Sequence, residues 1–312
     1  MSITETGQIL VHVEPSPGNA HAMLWRQGEQ PVTVLGSVVP YDMNSRLQIV
    51  GSTRYPDDLA HAYVFDPSTS VLTDLSVPGE LYSEARAINS SGLVAGWFSM
   101  DGFTSPAFVW SAEGGRTVVD AFGGESTIPC DVNESGQVVG TGELGEYMSH
   151  GFVWSRGSGL TEIGDLGGGW SCAKAINDRG EVVGYSGIDM DRQGMFLWNP
   201  VDGMRCVLEL PRTVWIEMFA INDSNVVVGT MLDTRVTEAV SQAFVWTPER
   251  GLTIIGVGGA LDVNERGDIV GESYGQAVLW ELVPEPSSLM VLGIGILPLA
   301  RAFARRRVRS WI

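Results

Sequence analysis

Two short patterns recur in register along most of this 312-residue chain, and a period near 44 residues restricts it to repeat architectures. The first pattern is an Asn, a turn, and an apolar strand ending in Gly. It reads INSSGLVAG at 88–96, VNESGQVVG at 132–140, INDRGEVVG at 176–184 and VNERGDIVG at 263–271. The Asn positions are 44, 89, 133, 177, 222 and 264, and a degenerate seventh copy opens the chain with Thr4 in the Asn place. The second pattern is a strand of the HAFVW type, at 21–25, 61–65, 106–110, 150–154, 194–198, 242–246 and 276–280.

The turn chemistry accounts for the first pattern. Asn accepts hydrogen bonds from neighbouring backbone N–H groups, and Gly three residues later tolerates positive φ, the preference of a type I turn between paired strands. Leu47 occupies the Gly place in one copy, so that turn is expected to be distorted or differently built. A further stretch after each Trp strand, such as GLTEIGDLGGG at 159–169, adds a fourth strand and a glycine-rich crossing. Four short strands per unit with no helical periodicity predict an all-β fold, a seven-bladed β-propeller of four-stranded repeats over residues 1–282. Seven such blades need 28 strands, and the patterns supply about 26. The two absent ones, a Leu strand and an Asn strand, are expected just upstream of Met1, which makes Met1 an internal start and leaves the ring without its N-terminal closing strands.

Charge narrows the function. Residues 1–286 carry 14 basic and 37 acidic groups, a net −23 that repels nucleic-acid phosphates and suits an extracellular or matrix setting. Cys130, Cys172 and Cys206 are odd in number and form no CxxC pair, so they indicate neither a disulfide framework nor zinc, and are expected as buried small apolar residues.

After Trp280 the composition changes. Pro284-Glu285-Pro286 precedes the apolar run 289–300 and five arginines, among them Arg305, Arg306 and Arg307. Twelve apolar residues make roughly 18 Å of helix against a hydrocarbon core of about 30 Å, a poor permanent span. The order of these parts over residues 283–309 resembles the PEP-CTERM sorting domain of Gram-negative bacteria. The resemblance implies a short C-terminal hydrophobic helix, transient insertion in the inner membrane, recognition by an exosortase, and release to the cell surface or extracellular matrix among exopolysaccharide. The repeats themselves, with Ala175–Gly184 as the closest copy and Asp165–Gly168 as a DLGG-like segment, resemble the extracellular HAF-repeat family. That family begins with a signal peptide; here residues 1–11 are already repeat, in keeping with the internal start.

No catalytic constellation, metal site or cofactor motif is evident. His21, His61 and His150 share one repeat position, which assigns them to architecture. Asp131 and Asp262 open segments like a calcium loop, yet Ser135 and Arg266 stand where a further acid is needed, and the turn explains the same residues without a metal. Departures from the repeat carry the candidate ligand face instead: Trp170, Asp189, Asp191 and Trp215, with Trp97 also outside the Trp-strand frame. The resulting expectation is a non-enzymatic, exported interaction protein. Its rival is a glycan-active enzyme, which requires two unique carboxylates about 5–10 Å apart at a channel mouth.

Overall fold

A computed structural model describes residues 1–14, 19–54, 59–120, 122–145, 148–236 and 238–281, and among them every regular element is a β-strand. One unit shows how the repeat folds. Its strands are Ser171–Ile176, Val182–Gly187, Arg192–Asn199 and Gly203–Pro211, paired antiparallel in sequence order. The inner strand alternates, with Ser171, Ala173 and Ala175 buried and Cys172 and Lys174 half-buried. The third strand buries Met195, Phe196 and Leu197 in succession, as a strand covered on both faces must. Apolar side chains from neighbouring sheets then interlock: Val183, Met195 and Leu197 pack with Ile216, Met218 and Trp246. The core is this series of layers between sheets.

The repeated Gly of the second strand, distinct from the Gly of the turn, lies where no side chain fits. A Cβ on Gly184 would stand 2.0 Å from the Cys172 carbonyl oxygen and 2.5 Å from the Phe196 ring. The same approach recurs at Gly96, Gly140 and Gly229, each against an inner-strand carbonyl and the Phe of its third strand. Opposite each Gly the inner strand carries a bulge, so that Ala173 and Ala175 pair with Gly184 and Val183 while Lys174 is left over. Equivalent register shifts leave over Tyr41, Arg86, Cys130, Phe219 and Leu261. A bulge re-aims its side chain. Here six of them mark one level along the inner strands.

The expected seven separate four-stranded blades are corrected. Five sheets have four strands or more, and one of these is eight-stranded, because a parallel bridge between Ala60 and Tyr82 fuses strands 38–74 with strands 82–119. The sixth sheet, 259–281, has three strands among the described residues. The inner strand expected upstream of Met1 is also corrected: Ser2–Ile3 fills that place, paired with Leu10 and Ile9. The Leu47 turn is corrected as well. Leu47 takes φ of 64° and donates to the Asn44 carbonyl at 2.9 Å, just as Gly92 does to Asn89. That turn keeps its shape and bears the cost of a left-handed leucine, of order 1–2 kcal/mol. The expected C-terminal helix and the sorting tail lie outside the described residues, and among those described no helix is long and apolar enough to cross a membrane.

Candidate functional site at the axial channel

The turns close around a common axis through their Asn side chains. Each Nδ2 donates to the carbonyl of the next turn's Asn: Asn44 to Asn89 at 2.9 Å, Asn89 to Asn133, Asn133 to Asn177, Asn177 to Asn222, and Asn222 to Asn264. Asn264 carries the series on to the first turn, donating to the Thr4 carbonyl at 3.3 Å. Two residues before the Asn, three copies carry an aspartate that staples neighbouring repeats. Asp42 accepts from Ile88 N–H, Asp131 from Ile176 N–H and Asp262 from Ile3 N–H, while each also accepts from the residue that follows it. The calcium-like segments at Asp131 and Asp262 thus engage backbone donors. Among the described residues no group of three or more acidic, His or Cys side chains is placed to hold a metal ion.

Burial pushes Asp131 and Asp262 up to about 7, with the nearby Asp42 carboxylate adding to the rise. A carboxyl held above its unfolded value binds an extra proton in the folded state between those two values. Its contribution to stability is therefore whole at low pH and is lost as pH rises to about 7. Carboxylates held low, such as Asp233 at about 2 through Arg235, act only in more acidic solution. The protein is expected to melt several degrees lower at pH 8 than at pH 5.5, and Asp131→Asn should flatten that dependence in a thermal scan. A flat wild-type profile across this range would contradict the assignment.

Farther from the Asn ring, inner-strand side chains that point away from the sheet cores line the axis in levels. The bulged residues and those two places before them bring together Tyr41, Glu84, Arg86, Lys174 and Glu217. Glu84 pairs with Arg86 at 2.9 Å and accepts from Tyr41 Oη at 3.0 Å and Trp97 Nε1 at 3.1 Å. Lys174 Nζ meets Glu217 at 2.5 Å and lies 5.3 Å from the centroid of the Tyr185 ring. Burial opposes the Lys174 charge, but the thiols of Cys130 and Cys172 and the Glu217 carboxylate hold its pKa above the ordinary lysine value, so it remains a cation. Burial pushes the Cys130 thiol up to about 12, which makes it a poor nucleophile. Cys206 is exposed, against the burial expected from sequence, while Cys130 and Cys172 are half-buried.

The next level outward is aromatic. Trp170, just before its inner strand, and Trp215, on the neighbouring one, stand seven residues before Asn177 and Asn222, and Tyr82 holds the same place before Asn89. Trp215 is 45 % exposed and Tyr82 41 %. Trp170 meets Tyr185 edge-on at 5.8 Å, and the Arg212 guanidinium lies 5.6 Å from the Trp170 ring. Asp189 and Asp191 sit apart in the exposed connection before Arg192. Asp189 is held below the usual carboxylate range by Arg192. Asp191 reaches the aromatic level only through its carbonyl, which accepts from Arg212 N–H at 2.9 Å. Of the four ligand-face residues expected from sequence, the two tryptophans share a level and the two aspartates flank it. Glu84, Arg86, Lys174 and Glu217 escaped the sequence reading. Counting back three and five residues from each Asn finds them, because the bulge fixes that register.

No protein-family model matches the sequence, and comparison with curated proteins finds no match. Solved structures do match in shape. TolB from Acinetobacter baumannii superposes with a TM-score of 0.55 at 15 % identity, over 84 % of this chain and 64 % of that one. The β-propeller domain of the Trilobed protease from Pyrococcus furiosus gives 0.58 at 11 % identity, over 88 % and 90 %. The fold is a β-propeller. A prolyl endopeptidase is also similar, with a TM-score of 0.61 at 12 % identity over 88 % of this chain, which spans 46 % of that enzyme. At such identities the propeller scaffold is what is shared, and activity does not transfer with it.

Proposed function

We propose that this propeller is an exported, non-enzymatic interaction protein of the cell surface or extracellular matrix, and that it engages a glycan at the aromatic end of its axial channel. The observation that carries this reading is the contrast between levels. Repeated Asn, Gly and Phe residues build the scaffold, whereas the channel side chains are individual to each repeat. Trp215 and Tyr82 offer exposed ring faces, the surface on which sugar rings stack, and Arg212 and Lys174 bring hydrogen-bond donors nearby. Against an enzyme stands the state of the axial acids. Glu84 and Glu217 are each neutralised by a cation, and Asp42, Asp131 and Asp262 are committed to backbone N–H groups.

A glycan array probed with the full chain tests this reading. Wild type is expected to retain a subset of glycans and leave them uncleaved, and Trp215→Ala to lose about tenfold or more in affinity, the scale of one stacking contact. Array-wide silence, or cleavage of a bound glycan, would overturn it. Export rests on the resemblance of residues 283–309 to a sorting signal. Cells carrying an exosortase are expected to release the wild-type protein to the surface, and to keep a variant with Pro284, Glu285 and Pro286 all replaced by alanine at the inner membrane. Equal release of both proteins would remove the sorting role.

A further inference from the structure

The repeats act as internal controls for one another, and one departure from them opens a groove. Two residues after the Asn, three turns carry an arginine. Arg179 pairs with Glu181, and Arg266 pairs with Asp268, two places farther on. Arg46 finds Gln48 in that place, and the Gln48 amide is already engaged, its oxygen by Asn44 at 2.9 Å and its nitrogen by Asp66 at 3.4 Å. The Arg46 guanidinium lies beside Gly92 of the next turn, as that of Arg266 lies beside Gly7, but without an acid two places on. From the opposite side Arg156 reaches Gly114, in the hairpin between strands 107–111 and 115–119. No ion pair to Arg46 or Arg156 is present among the described residues.

These two arginines lie on a groove of about 790 Å³, with Trp110, Asp66 and Glu113 also in its walls. Trp25, Trp246 and Trp280, which close the equivalent strands, are at most 5 % exposed, whereas Trp110, like Trp154 in the next repeat, is only half-buried. The groove therefore combines cations held in no ion pair, an accessible indole, and carboxylates able to accept from hydroxyl groups. The Asp66 carboxylate is held below its usual range by Ser68 and so is ionised at neutral pH.

We infer that this groove, on the side of the propeller that carries the Asn turns, is a binding site for a carboxylated saccharide such as a uronic-acid oligomer. Arginine forks meet carboxylates in bidentate fashion, Trp110 meets the apolar face of a sugar ring, and Asp66 and Glu113 accept from ring hydroxyls. A neutral sugar leaves both arginines unanswered. An anion without hydroxyls, such as an acidic peptide, meets Asp66 and Glu113 as repulsion. The site involves none of the channel residues, so it stands or falls separately from the glycan contact proposed at Trp215.

Calorimetric titration of the full chain with alginate tetrasaccharide, neutral cellotetraose and tetraglutamate tests the inference. Saturable binding of the alginate oligomer is expected, weakening with added salt, with at least tenfold weaker binding of the other two. The double variant Arg46→Ala, Arg156→Ala is expected to lose about tenfold or more in alginate affinity with an unchanged melting temperature, since both side chains are exposed. Trp215→Ala should leave this binding intact. No alginate binding by wild type, equal binding by the double variant, or a preference for tetraglutamate would overturn the assignment. Loss in Trp215→Ala alone would place the acidic sugar in the channel and refute the groove.

Discussion

Replacing Asn133 by alanine is expected to destabilise the protein by about 3 kcal/mol, far more than a surface turn substitution. The side chain is 3 % exposed and serves two repeats at once. Its oxygen accepts from Gln137 N–H at 2.9 Å, which holds its own turn, and its nitrogen donates to the Asn177 carbonyl at 3.0 Å, which holds the next. Alanine strands both partners, the Asn177 carbonyl in a buried place. Asn133→Asp separates the two roles, because a carboxylate keeps the acceptor and loses the donor. It also sets negative charge against the Asn177 carbonyl and the Gln137 side-chain oxygen, which lies 2.8 Å from the Asn133 amide nitrogen. The aspartate variant should be at least as unstable as alanine at pH 7, and should recover towards pH 4 as the carboxyl regains a proton. Urea denaturation of the three proteins at both pH values reads this directly. An aspartate variant as stable as wild type at pH 7 would show that the turn-to-turn donor carries little.

A second large effect is expected where the eight-stranded sheet is held together. Glu80, whose side chain is wholly buried, forms an ion pair with Arg116, and Arg116 is sandwiched at 4.0 and 4.1 Å from the Phe98 and Phe108 ring centroids. Glu80 belongs to the connection between strands Val71–Asp74 and Tyr82–Ile88, whereas Arg116 lies on the outer strand of the second half. Removing Glu80 alone leaves a desolvated guanidinium, so Glu80→Ala should cost about 3–5 kcal/mol. Replacing both partners at once, as Glu80→Leu with Arg116→Met, should recover most of that loss, since burial of an ion pair gives little net stability over a packed apolar pair. A double variant no more stable than Glu80→Ala would mean that the pair itself, and not the cost of breaking it, holds the two halves.

How much of this was legible in the sequence follows the repetition. Asn133 and Gly184 recur in six repeats and Phe196 in four, so turn and core strand could be read from several examples of each. Features that occur once could not. The Ala60–Tyr82 bridge that fuses two repeats depends on where one connection happens to run. Leu47 was misread because propensity favours Gly there, while the Asn44 hydrogen bonds and neighbouring turns over-determine its φ. The channel residues were hidden for a different reason. Arg86 and Lys174 sit on bulges, and the alternation breaks just after them, so counting back by twos from the buried Ile88 and Ile176 turns them inward. The aromatic pair Trp170 and Trp215 was found only because tryptophan outside its repeat position is conspicuous.

The axial channel exists only if the ring is closed between the last Asn turn and the first. Ile3 N–H donates to Asp262 at 2.7 Å across that junction, as Ile88 does to Asp42 at 3.0 Å and Ile176 to Asp131 at 2.9 Å within the continuous chain. Native-state hydrogen exchange of these three amides compares the junction with its internal equivalents in one measurement. A closed propeller gives Ile3 the same protection as Ile88 and Ile176, within the scatter of global unfolding. Free exchange at Ile3 beside full protection at the other two would mean that the ring is open in solution.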